Sequence, residues 1–144
     1  MIHRMSAAVL ALVGLFVSLY LTLWKIGILG TLACGEGGCE TVQLSKYGDL
    51  FGVPVAAYGV AGYLALLAVS LVGLQPHWVE RRGPTLLLAG LAGLGVAFTA
   101  RLTYLEAAVL HAWCRWCLAS AAIITLIFVT ALAGLRRSAE PRPA

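Results

Sequence analysis

The chain has 144 residues, 61% of them hydrophobic and 11% charged, with a net charge of +4 and a mean hydropathy of +0.93. A soluble domain of this length cannot hide so much apolar surface, because small domains have a high ratio of surface to volume. The composition therefore excludes an ordinary soluble enzyme. The basic residues sit in short clusters between apolar runs, a pattern that fits orientation in a membrane better than nucleic-acid binding.

The first charge-free run is Met5–Trp24. It follows His3 and Arg4 and precedes "GTLAC" at 30–34, so a cleaved signal or lipoprotein leader has to be weighed. The run is longer than the roughly 7–15 apolar residues of a signal core, and Thr31 is a poor residue three positions before the cysteine. Three further apolar runs would also be unexplained. The reading is a transmembrane helix that carries Gly14, Ser18 and Thr22 at four-residue spacing.

Segment 25–52 comes next and holds "CGEGGC", with Cys34 and Cys39 separated by four residues, three of them glycine. Glycine permits tight reversal, so the loop can bring the two Cα atoms to the roughly 5.5 Å separation that a disulfide needs. Val42, Leu44, Tyr47, Leu50 and Phe51 then alternate at mixed three- and four-residue steps with Glu40, Lys46 and Asp49. That pattern predicts a short amphipathic helix over 40–52, lying at the interface and lidding the bundle.

Three more apolar runs follow: Val53–Gln75, Pro84–Ala100 and Trp116–Leu135. The third of the four runs is extended past Arg101 to Leu105, with Arg101 snorkelling. Each run is long enough to cross roughly 30 Å of hydrocarbon at about 1.5 Å per residue. Pro54 and Pro84 are placed in the first turn of their helices, where a missing N–H costs little. Ala57, Ala61 and Ala65, and Ala89, Gly93 and Ala97, form small-residue stripes suited to close helix packing in lipid. The four tryptophans Trp24, Trp78, Trp113 and Trp116 read as interfacial anchors. The expected fold is an all-α integral membrane bundle of four transmembrane helices. It occupies 1–137, with spans over 5–24, 53–75, 84–105 and 115–135, an outer loop 25–52 and a short tail 138–144.

Loop charge sets the orientation. Arg4, Arg81, Arg82, Arg136, Arg137 and Arg142 fall on one side, which is expected to be cytoplasmic, with both termini there. All four cysteines then fall on the outer side, where disulfides can form and persist. The second pair, Cys114 and Cys117 in "CRWC", opens the fourth helix. The N-terminal end of a helix and the nearby Arg115 favour thiolate, which marks Cys114 as the nucleophile towards another disulfide. Cys117, one turn deeper, lies towards the hydrocarbon, where a lipid-soluble electron acceptor dissolves. Electrons can pass between such pairs by thiol–disulfide exchange. Two structural disulfides, or a zinc site built on the CxxC, remain open at this point. There is no carboxylate pair, phosphate-binding glycine loop or Ser/His/Asp set.

The combination resembles the vitamin K epoxide reductase family in its bacterial form. The likeness covers four spans, a cysteine pair after the first, a CxxC at the fourth, and "CETVQLSKYGDLFGVPVAAYGVAGY" at 39–63. The resemblance implies a quinone-linked thiol oxidoreductase in a bacterial inner membrane. Cys114 and Cys117 match the active-site pair, Cys34 and Cys39 the electron-shuttling pair, and Ser45 the loop serine near the quinone. It further implies a ubiquinone, menaquinone or vitamin K type of acceptor. Its partner would be a thioredoxin-fold (DsbA-like) protein that is oxidised through a transient Cys39–Cys114 disulfide. The chain ends at "LRRSAEPRPA" without the fused thioredoxin-like domain of many bacterial members, so a separate partner is expected. The loop pair is also spaced more closely than the family pattern.

Arg101, Tyr104 and His111, at the outer ends of the spans, and Trp116 join Ser45 as candidate quinone contacts. Three alternatives stand beside this reading. A DsbB-type oxidase would place its CxxC in the first outer segment, the reverse of the order here. A non-catalytic transport subunit should carry ionisable groups in mid-membrane, which these spans lack. Epoxide reduction on the same fold requires nothing that the sequence excludes.

Overall fold

The computed structural model describes residues 2–26, 49–50, 53–77, 83–105, 107–108 and 115–139. Four long helices account for nearly all of these: α1 (Ile2–Lys25), α2 (Val55–Gly73), α3 (Gly83–Leu105) and α4 (Arg115–Ala139). All four are long and apolar enough to cross a membrane. A minimal antiparallel ladder, β1 (Asp49–Leu50) with β2 (Val53–Pro54), precedes α2, pairing Asp49 with Pro54 and Leu50 with Val53. The four-helix bundle expected from the hydropathy is present.

The helices form a ring in which α1 packs most closely on α2 and α4, and α3 packs on α4. The α2–α3 seam is the sparsest of the four adjacent contacts. The inner face of α1 is a stripe of Arg4, Ala7, Ala11, Gly14, Ser18 and Leu21, at alternating three- and four-residue steps. The four between Arg4 and Leu21 are small, which lets the neighbouring backbones approach in a medium where apolar burial alone drives little association. A Cβ added at Gly14 would overlap the ring of Tyr63, and one added at Gly59 would stand 2.8 Å from Ser18 Oγ. The core lies in the half of the bundle away from the start of α4. It is filled by Leu66, Leu88, Ala92, Ile127 and Ala131, each at most 2% exposed. Outside, Val9, Phe16, Leu71, Leu87, Leu94 and Val129 form part of an exposed apolar belt of the kind that faces lipid.

Local details differ from the sequence reading at three places. The helix expected over 40–52 does not reach Asp49–Leu50, which are extended. Pro54 disfavours helix at Val53 before it, so the chain arrives at α2 as a strand. Residues 40–48 lie outside the described residues. Pro54 itself belongs to β2 rather than to the first turn of α2, whereas Pro84 is the second residue of α3.

The third difference concerns the small-residue stripes. Ala61 is exposed and Ala57 and Ala65 are half-buried, so this stripe does not face a neighbour. The buried face of α2 is Ala56, Tyr63, Leu66, Ser70 and Gly73. On α3, Ala89 is buried and Gly93 approaches Phe128, but Ala97 is exposed. Gly95, which approaches Ile124, and Ala92 take its place. These helices are apolar on every side, so small-residue spacing alone does not say which face meets a partner.

At the end of the bundle opposite the start of α4, Arg4 is buried at 4% exposure. Its Nε and Nη2 donate to Thr85 Oγ1 at 3.3 and 3.0 Å, and its Nη1 donates to the Gly73 carbonyl. In the sequence this arginine carries only an orientation or leader signal. In the fold it also ties the start of α1 to the end of α2 and the start of α3. Ser70 Oγ, one turn before Gly73, is buried without a hydrogen-bond partner.

Candidate functional site

Above the core, towards the start of α4, the ring of helices encloses a cavity of about 380 Å³. All four helices contribute walls: Ser18 and Leu21 from α1, Ala56, Gly59, Tyr63 and Leu66 from α2, Leu91, Phe98, Thr99 and Thr103 from α3, and Cys117, Ser120 and Ile124 from α4. Tyr58, Gly62 and Leu94 also line it and are exposed on the outside of α2 and α3. The cavity therefore opens sideways, through the sparse α2–α3 seam, towards the apolar belt. The volume suits a small organic ligand, and the largely apolar wall with few polar points is the usual make-up of such a site.

Cys117 is half-buried on this wall, in the first turn of α4. Its neighbour Trp116 does not line the cavity. One residue is about 100° of helix, so with Cys117 turned inward Trp116 faces α1. There its ring meets Tyr20 at 5.1 Å between centroids, tilted by 49°. Leu21, Ala56, Val17 and Trp24 complete this cluster, which braces the start of α4 against α1 and so fixes where Cys117 stands.

Of the other quinone-contact candidates, Arg101 and Tyr104 are exposed, Tyr104 at 67%. Neither lines the cavity. Thr99, Leu102 and Thr103, at i, i+3 and i+4, hold the inward face of α3, and Arg101 and Tyr104 fall on the opposite side. Cys34, Cys39, Ser45, His111 and Cys114 lie outside the described residues. Among the described residues there is no group of three or more His, Cys, Asp or Glu that could hold a metal ion.

Of the hydroxyl residues that do reach the wall, the sequence pattern singles out only Ser18, as part of the small-residue stripe of α1. Thr99 Oγ1 donates to the Val96 carbonyl at 3.1 Å, and Thr103 Oγ1 donates to the Thr99 carbonyl at 2.8 Å. This back-bonding uses each hydroxyl's single hydrogen and leaves its oxygen only as an acceptor. Tyr63 Oη lies 2.9 Å from the Ser120 carbonyl oxygen, to which it donates, and 2.8 Å from Ser120 Oγ. This contact crosses the ring diagonally, between α2 and α4, which are not adjacent. One cue was legible: Ser120 follows Cys117 by three residues and so must share its face. Nothing local to α2 identified Tyr63.

An apolar, lipid-facing cavity with a thiol on its wall and a hydroxyl pair one turn away suits a flat apolar ring bearing carbonyl oxygens. The sequence model of the vitamin K epoxide reductase family matches residues 5–132, which spans all four helices and the cavity wall. The chain belongs to the vitamin K epoxide reductase family, whose members are membrane oxidoreductases linked to quinones of the vitamin K kind.

Proposed function

We propose that the protein is a quinone-linked thiol–disulfide oxidoreductase of a bacterial cytoplasmic membrane, with both termini inside and its cysteines at the outer face. It takes electrons from a separate thioredoxin-fold protein of the DsbA kind, and so supports disulfide formation in exported proteins. Cys34 and Cys39 receive the electron pair by thiol–disulfide exchange and pass it to Cys114 and Cys117 through a transient Cys39–Cys114 disulfide. The Cys114/Cys117 dithiol then becomes a disulfide, and its electron pair and two hydrogens convert a quinone to a quinol. The partner's dithiol ends as a disulfide, so the overall reaction balances as dithiol plus quinone giving disulfide plus quinol.

The observation that carries this reading is the position of Cys117. It stands on the wall of a 380 Å³ cavity that opens towards lipid. Ubiquinone and menaquinone have a flat ring and a long apolar tail. The ring suits the cavity, and the tail can leave through the α2–α3 seam without crossing water. The residues of the chain bind and orient: Leu66, Leu91, Phe98 and Ile124 exclude water around the ring, and the Tyr20–Trp116 contact holds the first turn of α4. Ser45 is kept from the family likeness as a further polar contact.

The test is quinone reduction by purified protein in lipid nanodiscs, driven by a reduced thioredoxin-fold donor. Wild type should reduce a ubiquinone or menaquinone analogue, and Cys117→Ala should not. Turnover by Cys117→Ala would refute the mechanism. Retention of activity with a small dithiol donor in Cys34→Ala or Cys39→Ala is expected, because such a donor can reach the CxxC directly.

A further inference from the structure

Tyr63 is held from two directions. Its ring is 4% exposed and lies against Gly14 of α1 so closely that no Cβ fits between them. Its hydroxyl reaches Ser120 on α4, at 2.9 Å from the carbonyl oxygen and 2.8 Å from Oγ. Tyr63, Ser120 and Cys117 line one cavity, and Ser120 is one helical turn beyond Cys117.

The hydrogen count at this point matters. The Thr99 and Thr103 hydroxyls each donate to a carbonyl of their own helix, and Ser18 is the other buried hydroxyl residue on the wall. The Tyr63–Ser120 pair carries two hydroxyl hydrogens. In the closed arrangement Tyr63 donates to the Ser120 carbonyl and Ser120 Oγ donates to Tyr63 Oη. The carbonyl also has its helical N–H partner four residues on. Tyr63 can therefore redirect its hydrogen into the cavity, still accepting from Ser120, and leave no buried group unpaired.

We propose that the Tyr63 hydroxyl, oriented by Ser120, donates a hydrogen bond to a carbonyl oxygen of the quinone. This rests on the quinone reading above and deepens it. Tyr63 is then a catalytic residue and Ser120 a positioning residue. In the chain Ser120 O–H to Tyr63 O–H to ligand oxygen, each bond polarises the next. Tyr63 loses no proton in the net reaction, since both hydrogens of the quinol come from the thiols. Its contribution is a fixed donor, in an apolar enclosure, aimed at an oxygen whose negative charge grows as electrons arrive.

The experiment uses the full chain in nanodiscs and the variants Tyr63→Phe, Ser120→Ala and Ser120→Thr. Three quantities are read: the Kd for a short-tailed ubiquinone analogue, from quenching of the four tryptophans; the infrared carbonyl band of the bound, isotope-labelled analogue; and kcat. Tyr63→Phe should raise Kd about tenfold, the size of one net hydrogen bond. It should also move the carbonyl band towards its unbonded frequency and lower kcat by about 10- to 100-fold. Ser120→Ala should shift all three in the same direction, and Ser120→Thr, which keeps the hydroxyl, should restore them. If Tyr63→Phe does not fold, Ser120→Ala against Ser120→Thr carries the same comparison. A carbonyl band and Kd in Tyr63→Phe or Ser120→Ala equal to wild type overturn the inference while leaving the quinone reading intact. A wild type that neither binds nor reduces any quinone overturns both.

Discussion

Replacing Gly14 with alanine adds one methyl group in the middle of α1, and the structure specifies what that methyl meets. It would overlap the ring of Tyr63, which is 4% exposed and tethered at its far end to Ser120. The ring has no free volume to move into on the α1 side. Relief requires that α1 and α2 separate or that the Tyr63 hydroxyl leave Ser120. Overpacking a filled site costs about 1–3 kcal/mol. Loss of one internal hydrogen bond adds about 0.5–1.5 kcal/mol, and alanine's better helix propensity returns up to about 1 kcal/mol. The net expectation is a destabilisation of about 1–3 kcal/mol, or roughly 5- to 150-fold in the folding equilibrium at RT of about 0.59 kcal/mol.

Equilibrium unfolding in mixed micelles measures this against two internal controls. Gly62→Ala and Gly90→Ala place the same methyl where nothing lies within 4 Å, and both should be neutral within about 0.5 kcal/mol. Adding Tyr63→Leu to Gly14→Ala should recover part of the loss, because the two positions are in contact and their effects do not add. If Gly14→Ala is as stable as its controls and keeps the Tyr63–Ser120 contact, the close packing of α1 on α2 described above is wrong.

Arg4→Met should destabilise the bundle by about 1.5–3 kcal/mol, since it removes the buried bonds to Gly73 and Thr85. Thr85→Val should cost less, and the double variant should cost less than the sum, as a double-mutant cycle in the same micelles would show. Ala92→Leu, at a position with no exposed surface, should destabilise by about 1–3 kcal/mol, whereas Ala61→Leu on the lipid-facing side should not; equal melting curves would refute the assignment of faces. Gly62→Trp places an indole at the mouth of the cavity, at a position where an added Cβ meets nothing within 4 Å. It should raise KM for a long-tailed quinone by about tenfold and leave KM for a tail-less one within a factor of two. Equal KM changes for both would argue against access through the α2–α3 seam.

The four apolar spans were legible in the sequence. They depend on properties that accumulate along the chain. Twenty apolar residues can cross hydrocarbon only as a helix, whatever their neighbours are. The family resemblance was legible for a similar reason, because it resides in short stretches read in order. The inward faces of α2 and α3 were not legible. In a soluble helix, polarity distinguishes inside from outside, but here lipid-facing and buried sides are equally apolar, and the alanine stripes pointed to the wrong side of α2.

Only the tertiary structure placed Tyr63 against Gly14 and Ser120, residues 49 and 57 positions away in sequence. It likewise turned Trp116 towards Tyr20, put Arg101 and Tyr104 outside the cavity, and converted Arg4 from an orientation charge into a buried tie. A sequence sets which segments enter the membrane, because that choice is made against lipid, one segment at a time. The rotation of each helix about its axis is chosen against the other three. The cavity beside Cys117, and the Tyr63–Ser120 pair on its wall, exist only once all four have been set.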